Sequence, residues 1–166
     1  MSVYTARGDK GMTDLYTGQR IAKNSWRVKA YGALDEFGSV LGLARSFCKN
    51  DEVKDCIYEL QKLNGLLMSD FASVDNYEPQ ITHDHVVYLE KTIDKIETKL
   101  QPLNHFLIPG ETQGGAFLDL ARTVARRAER VMWDLAKNEV VPDEDRIFLN
   151  RLSDFCFMLM RLEENR

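Results

Sequence analysis

Arg122, Arg126 and Arg130 recur at every fourth position of the run Arg122-Thr123-Val124-Ala125-Arg126-Arg127-Ala128-Glu129-Arg130, so a helix here stacks them along one face. Like charges at that spacing repel by roughly 0.2–0.5 kcal/mol per pair. A helix that accepts the repulsion faces compensating negative charge: carboxylates, a polyphosphate, or both. Two readings stand. In one, the arginines form a salt-bridge ladder with Asp119, three residues before Arg122, and Glu129, three after Arg126. In the other they hold an anionic ligand, where a guanidinium beside a phosphate is worth roughly 4 kcal/mol at 4 Å and an effective dielectric of 20, before desolvation.

Three further segments carry groups suited to such a ligand. The N-terminal stretch Tyr4-Thr5-Ala6-Arg7-Gly8-Asp9-Lys10-Gly11-Met12-Thr13 combines glycines, whose backbone N–H groups can converge on an anion, with cationic and hydroxyl side chains. It lacks the GxxxxGK[ST] spacing of a Walker loop, and a surface turn with solvated charges is its alternative. Asp35-Glu36 sits among Ala33, Leu34 and Phe37, either as a solvated face or as a partner for the arginines or a metal-bound phosphate. Phe106-Leu107-Ile108-Pro109-Gly110 is too apolar for an ordinary exposed loop. It reads as a core plug between helices or as an apolar wall that keeps water from a ligand.

Other chemistries are not indicated. His83 and His85 are two residues apart and fall on different helical faces, which disfavours a shared metal. There is no Glu-x-x-His pair for a di-iron bundle, no Gly-x-Ser-x-Gly elbow and no Cys/His nucleophile pattern.

The elements that position these groups are helical. Residues 1–26, with Gly8, Gly11 and Gly18, show no periodicity and predict a loop or short irregular hairpin. Apolar stripes then predict helices over about 27–47, 51–74 and 82–100, the second broken by Pro79, the third capped by Thr82 and stopped by Pro102. A fourth covers about 113–137, burying Phe117, Leu120, Ala121, Val124, Ala128, Val131, Met132 and Leu135. A fifth opens at Pro142-Asp143 with Phe148, Leu152, Phe155, Leu159 and Leu162 inward. Such stripes pack as an all-α bundle of five helices.

At 166 residues and 44% hydrophobic content the chain is expected to form one domain, 1–166, with 1–26 as the N-terminal loop and 27–166 as the bundle. A net charge of −4 argues against general nucleic-acid binding, so the arginine cluster implies a local anion site. No apolar run is long enough to span a membrane, and residues 1–20 lack a leader's apolar core. Cys48, Cys56 and Cys156 follow no metal or disulfide spacing; reduced thiols packed in a core, and a cytoplasmic location, are expected.

Six pieces in this order, Tyr4-Thr5…Gly8-Asp9-Lys10-Gly11, Lys23, Ala30-Tyr31-Gly32-x-x-Asp35-Glu36, Phe106-x-x-Pro109-Gly110, the Arg122–Arg130 run and Leu149-Asn150-Arg151-Leu152-Ser153-Asp154, resemble the trimeric ATP:cob(I)alamin adenosyltransferase family over nearly the whole chain. The resemblance implies a homotrimer with active sites between subunits. It gives ATP binding to Thr5, Arg7, Gly8, Asp9, Gly11, Lys23, Arg126, Glu129, Arg130 and Asn150. Asp35 and Arg122 would pair across the subunit boundary near the cobalamin, and Phe106 would lie against the corrin's lower face. Mg²⁺ would be held mainly by the ATP phosphates, with Glu129 as its protein contact. Arg126, Asp35, Arg122 and Phe106 are the implied catalytic set. A reductase and an adenosylcobalamin-dependent acceptor enzyme are the implied protein partners, with no nucleic acid and no membrane.

The chain departs from the family pattern at Ala6, at Phe37-Gly38 and at Glu111, where a second glycine usually follows Pro-Gly. Gly38 and Glu111 fall on the side the resemblance gives to the corrinoid. They keep open a non-catalytic ATP- and cobalamin-binding carrier on the same scaffold. A plain helical scaffold is a third reading, and it leaves the glycine-bearing N-terminus unexplained.

Overall fold

A computed structural model describes residues 3–166, in which five helices follow a small N-terminal hairpin. Strands β1 (Met12–Asp14) and β2 (Arg20–Ala22) pair antiparallel, with Met12 opposite Ala22, Thr13 opposite Ile21 and Asp14 opposite Arg20. The hairpin is too short to stand alone. It docks through buried Leu15, through the Tyr16 N–H on the Ala72 carbonyl at 2.8 Å, and through Thr17 Oγ1, which accepts from the Val74 N–H at 3.1 Å.

The helices are α1 (Trp26–Phe47), α2 (Asp51–Phe71), α3 (His83–Glu97), α4 (Gln113–Leu135) and α5 (Asp143–Glu164). Ser25, Asn50 and Thr112 cap α1, α2 and α4 by accepting first-turn N–H groups. At α3, Thr82 is the cap residue, and its N–H is taken by His85 Nδ1 at 3.1 Å. Helix α4 lies between α1 and α5, α2 packs on α1, and α3 packs on α5. The core is one cluster in which Phe37, Leu41, Phe71, Phe148 and Phe155 are sealed from solvent. Each such side chain contributes about 1.5–3 kcal/mol by leaving water.

The fold is the expected five-helix bundle, with adjustments. Helix α2 stops at Phe71, not Val74, because the buried Arg27 side chain takes the Phe71 and Ser73 carbonyls at 2.9 Å each. Helix α3 ends at Glu97, and residues 98–100 form a turn. On α4 the inward stripe runs through Leu118, Ala121, Ala125, Ala128 and Met132. Leu120, expected inside, is exposed because it lies on the flank of that stripe. Helix α5 is buried more widely than one stripe, since α2, α3 and α4 all touch it. All three cysteines are free, Cys48 and Cys156 within the core. Burial, with Glu163 close by, pushes the Cys48 thiol up to about 12, leaving it protonated and unreactive. Among the described residues no helix is long and apolar enough to cross a membrane.

Candidate active site

The core stripe of α4 sends its opposite edge toward a cavity of about 480 Å³ shared with α5 and the 98–112 loop. The loop supplies an apolar wall, Leu103, Phe106, Leu107 and Pro109, and α5 adds Phe157 and Met160. Facing them are Asp119, Arg122 and Arg126 from α4, with Ser153 and Asp154 from α5. The cavity is therefore apolar on one side and charged on the other, where two arginines stand with two aspartates. Phe106 is 101% exposed and Ile108 81%, so the core-plug reading of this segment is overturned; only Leu107 packs on the core.

Half of the anticipated salt-bridge ladder exists. Arg122 Nε donates to Asp119 Oδ1 at 2.8 Å, but Glu129 does not pair with Arg126. It accepts instead from Asn150 Nδ2 at 2.8 Å, across the α4–α5 groove. Arg151 Nη1 in turn donates to Asn150 Oδ1 at 2.9 Å, which fixes the orientation of the amide. Glu129 and Asn150, with Trp133, Asp143, Arg146, Ile147 and Arg151, line a second cavity of about 380 Å³. Arg126 and Arg130 are exposed and make no ion pair or hydrogen bond through their side chains among the described residues. Two unpaired guanidinium groups one turn apart leave all their donors available to an external anion.

Asp35 and the N-terminal segment lie elsewhere in the protomer. The Asp35 carboxylate is exposed and has no partner among the described residues, and it lines neither cavity. Its neighbour Glu36 makes the contact to the arginine run, pairing with Arg127. Thr5, Arg7, Asp9 and Gly11 are exposed along the approach to the hairpin. There Ala6 and Gly11 adopt left-handed backbone (φ 56° and 78°) in a tight double turn. Lys23 closes it from above: its N–H meets the Gly11 carbonyl at 2.9 Å, and a Cβ on Gly8 would stand 2.8 Å from its ammonium nitrogen. That contact is with the free end of a flexible side chain, so a Cβ at position 8 would displace the Lys23 ammonium from over the turn. Asp14 holds Arg7 and Arg20 at 3.1 Å each, and Arg20 also donates to the Arg7 carbonyl. The protomer thus unites Phe106, Arg122 and Arg126, and separately Glu129 with Asn150, while Asp35 and the glycine-bearing loop present themselves on other surfaces.

Sequence reasoning missed Arg27, which is 6% exposed and ties α1 to the end of α2 and, through Glu139 at 2.6 Å, to the α4–α5 connection. Its signal was present: 27, 30, 34, 37 and 41 form one helical stripe, and an arginine on it must be paired. It also missed the contacts made by Arg161, Glu164 and Arg166, which have no local motif.

A family model described as Cobalamin adenosyltransferase matches residues 3–163. The chain belongs to the cobalamin adenosyltransferase family. A corrinoid adenosyltransferase of Citrobacter freundii is 36% identical over 98% of this chain and 94% of its own length. The corrinoid adenosyltransferase PduO of Salmonella typhimurium is 35% identical over 99% of this chain, which spans 50% of that longer protein. Among solved structures, a phenylalanine-to-histidine variant of a PduO-type ATP:corrinoid adenosyltransferase from Lactobacillus reuteri, complexed with cobalamin and ATP, superposes with a TM-score of 0.92. It shares 33% identity, over 99% of this chain and 91% of that one. An arginine-to-lysine variant of that enzyme complexed with ATP gives 0.90 at 33% identity, over 96% and 93%. The five-helix bundle is this family's fold.

Proposed function

We infer that the chain is an ATP:corrinoid adenosyltransferase, which moves the 5′-deoxyadenosyl group of ATP to the cobalt of a reduced corrinoid, cob(I)alamin in the reading adopted here, and releases triphosphate. The observation that carries this is the cavity with an apolar Phe106 wall opposite Arg122 and Arg126. A flat macrocycle suits the first face, and on the second Arg126, without a carboxylate partner among the described residues, suits a phosphate.

In the reaction the cobalt(I) electron pair attacks C5′ of the ribose. The Co–C5′ bond forms as C5′–O5′ breaks, and the bonding pair leaves with triphosphate while cobalt becomes formally cobalt(III). The protein needs no nucleophile. Its tasks are in-line positioning and stabilisation of the charge that grows on the leaving oxygen. Arg126 and Arg130, unpaired among the described residues, meet the phosphates without first breaking an ion pair. Thr5, Arg7, Gly8, Asp9, Gly11 and Lys23 wrap ATP through backbone N–H groups and cations. Asn150 and Glu129 hold the nucleotide from α4 and α5.

The donor set fits Mg²⁺ in one limited way. Among the described residues no three His, Cys, Asp or Glu side chains converge on a metal; Glu129 would be the protein contact of an ion held mainly by the ATP phosphates. When bound, the ion neutralises phosphate charge.

Phe106 acts on the other substrate. Cob(II)alamin is hard to reduce while water or a base ligates its lower face. An apolar ring there disfavours that ligand and leaves a four-coordinate cobalt that accepts an electron more readily.

The division of candidate residues among surfaces favours a homotrimer, in which the Asp35 of one subunit reaches the Arg122 of the next and the glycine-bearing loop covers a neighbour's α4. Exposed Leu43 and Phe47, one turn apart on α1, and Leu120, one turn from Phe117 on α4, form an apolar face suited to a second copy, beside the Phe47–Phe117 ring contact at 5.2 Å. A reductase supplies the electron, an adenosylcobalamin-dependent enzyme receives the product, and the cytoplasm is the compartment.

The non-catalytic carrier reading rested on Glu111 and Gly38. Glu111 does not line the cavity, and its carboxylate faces Arg166 at 3.4 Å. Gly38 packs beneath Asn64 on the core side of α1. Neither obstructs the site, and the enzyme reading stands. Its test is anaerobic absorbance of chemically reduced cob(I)alamin mixed with the protein, ATP and Mg²⁺. Decay of the cobalt(I) band into a light-sensitive adenosylcobalamin spectrum, lost in Arg126→Ala, is the expected result. Binding of both substrates without conversion would return the carrier.

A further inference from the structure

The loop that carries Phe106 has almost no internal support. Residues 101–111 make no backbone-to-backbone hydrogen bond among the described residues, and only Leu107 reaches the core. A 480 Å³ cavity cannot keep its shape against such a strand unless something else holds it. The end of α5 does so. Asn165 turns left-handed (φ 54°), and the chain folds back so that the Arg166 N–H meets the Arg161 carbonyl at 3.1 Å. From this turn three side chains reach the loop at both of its ends. Arg161, buried, donates through Nη2 to the Gln101 carbonyl at 2.6 Å. Arg166 Nη2 donates to the Ile108 carbonyl at 2.8 Å, and its Nη1 lies 3.4 Å from Glu111. Glu164, whose side chain is fully buried, accepts from the Thr112 N–H at 3.2 Å and holds Arg166 at 2.6 Å.

We propose that Arg161, Glu164 and Arg166 are positioning residues that clamp the 98–112 loop and so hold the Phe106 ring at a fixed height over the cavity. The proposal rests on the reading of Phe106 given above. Two of its contacts are to backbone carbonyls and one is to a backbone N–H, so these three act on the loop's path and not on its side chains. Glu111 fits the same scheme. An acidic residue at this position adds a loop carboxylate to the Arg166 fork. In this account Glu111 strengthens the hold on the loop and has no part in contacting the corrinoid.

The test uses the protein with Arg166→Ala, Arg166→Lys and the isosteric Glu164→Gln, and Phe106→Ala as reference. Two quantities are read: exchange in the loop, followed at the Thr112 amide, whose N–H is held by Glu164, and the four-coordinate fraction of cob(II)alamin bound with ATP, from its electron paramagnetic resonance spectrum. Losing a charged hydrogen bond should speed exchange in the loop by about tenfold in Arg166→Ala. Four-coordinate cob(II)alamin and reductase-driven turnover should fall with it. Turnover on pre-reduced cob(I)alamin and affinity for ATP should stay within about twofold, because no ATP group is touched. Arg166→Lys, able to reach one carbonyl but not to fork, should recover part of the loss. Unchanged loop exchange in both Arg166→Ala and Glu164→Gln would overturn the clamp. So would faster exchange with an unaltered cobalt spectrum when Phe106→Ala alters it. If Phe106→Ala itself leaves that spectrum unchanged, the role of Phe106 fails, and the exchange arm alone decides whether the clamp exists.

Discussion

Replacing Asp145 with asparagine should make the protein more stable at pH 8 than at pH 5, relative to the parent chain. Asp145 lies in the first turn of α5, where a negative charge is ordinarily welcome. Here it is 1% exposed, and its Oδ1 has no hydrogen-bond partner. Burial first, then the facing Asp70 carboxylate and Glu144, push its pKa from 3.8 up to about 8. Asp70 is committed as an acceptor: the Gln80 N–H reaches its two oxygens at 2.8 and 2.9 Å, and the Ile81 N–H reaches Oδ2 at 2.9 Å. Asp145 therefore keeps its proton in the folded chain and loses it in the unfolded chain near pH 4. Between those values the native state holds one proton more than the unfolded state, so stability falls as pH rises, by up to about 1.4 kcal/mol per pH unit. Sharing of the proton with Asp70 and the favourable helix end reduce the total. We expect the asparagine, which keeps a donor and never ionises, to gain about 2 kcal/mol between pH 5 and pH 8, or about 4–8 °C in Tm. Urea or thermal unfolding of both proteins at pH 5, 6, 7 and 8 measures this. Parallel stability curves for the two, at any offset, would refute the argument.

Phe106→Ala should leave the free energy of unfolding unchanged to within about 0.5 kcal/mol, since the ring is fully exposed. It should cut turnover with reductase-supplied electrons more than ATP affinity, measured by titration; equal losses in both would count against its role at the cobalt. Arg27→Met should cost about 2–4 kcal/mol in urea unfolding, because it leaves the Phe71 and Ser73 carbonyls without their donor, while half-exposed Glu139 returns to water. A loss below about 1 kcal/mol would mean that Arg27 is dispensable to the α1–α2 junction. Asp35→Asn should keep the chain's helicity and stability, as the carboxylate has no partner among the described residues. Steady-state assays should nevertheless show at least about tenfold slower adenosylation, as expected for one charged contact; wild-type rates would dissociate Asp35 from the site.

Helices were legible because their stripes are dense, and α4 showed why boundaries and flanks are harder. Leu118 and Leu120 are equally apolar, and only the packing of α1 and α5 on either side decides which one is inside. The early stop of α2 was hidden because its cause, Arg27, lies far away in sequence. Within the candidate site, the arginine run and Phe106 were visible by type and spacing. That they share a cavity depends on a loop whose path is set by side chains of α5, and no pattern between positions 101 and 112 encodes those. The apolar character of that loop supported both plug and wall, and only its exposure separates them.

The two glycines that open α4 carry a consequence for how such chains diverge. Gly114 lies against the backbone of Cys48, where a Cβ would come within 2.8 Å of the Cys48 Cα, and no rotamer can relieve that. At Gly115 the obstacle is a side chain: a Cβ would fall 2.1 Å from Glu164 Oε1. A mutation to alanine at 115 is thus tolerable only in a lineage that has already shortened or moved residue 164, and such a lineage has surrendered its hold on Thr112. Positions 115 and 164 should be inherited as a pair, whereas 114 should resist substitution on any background. Among homologous sequences, larger residues at 115 should mark branches that secure the loop by other means.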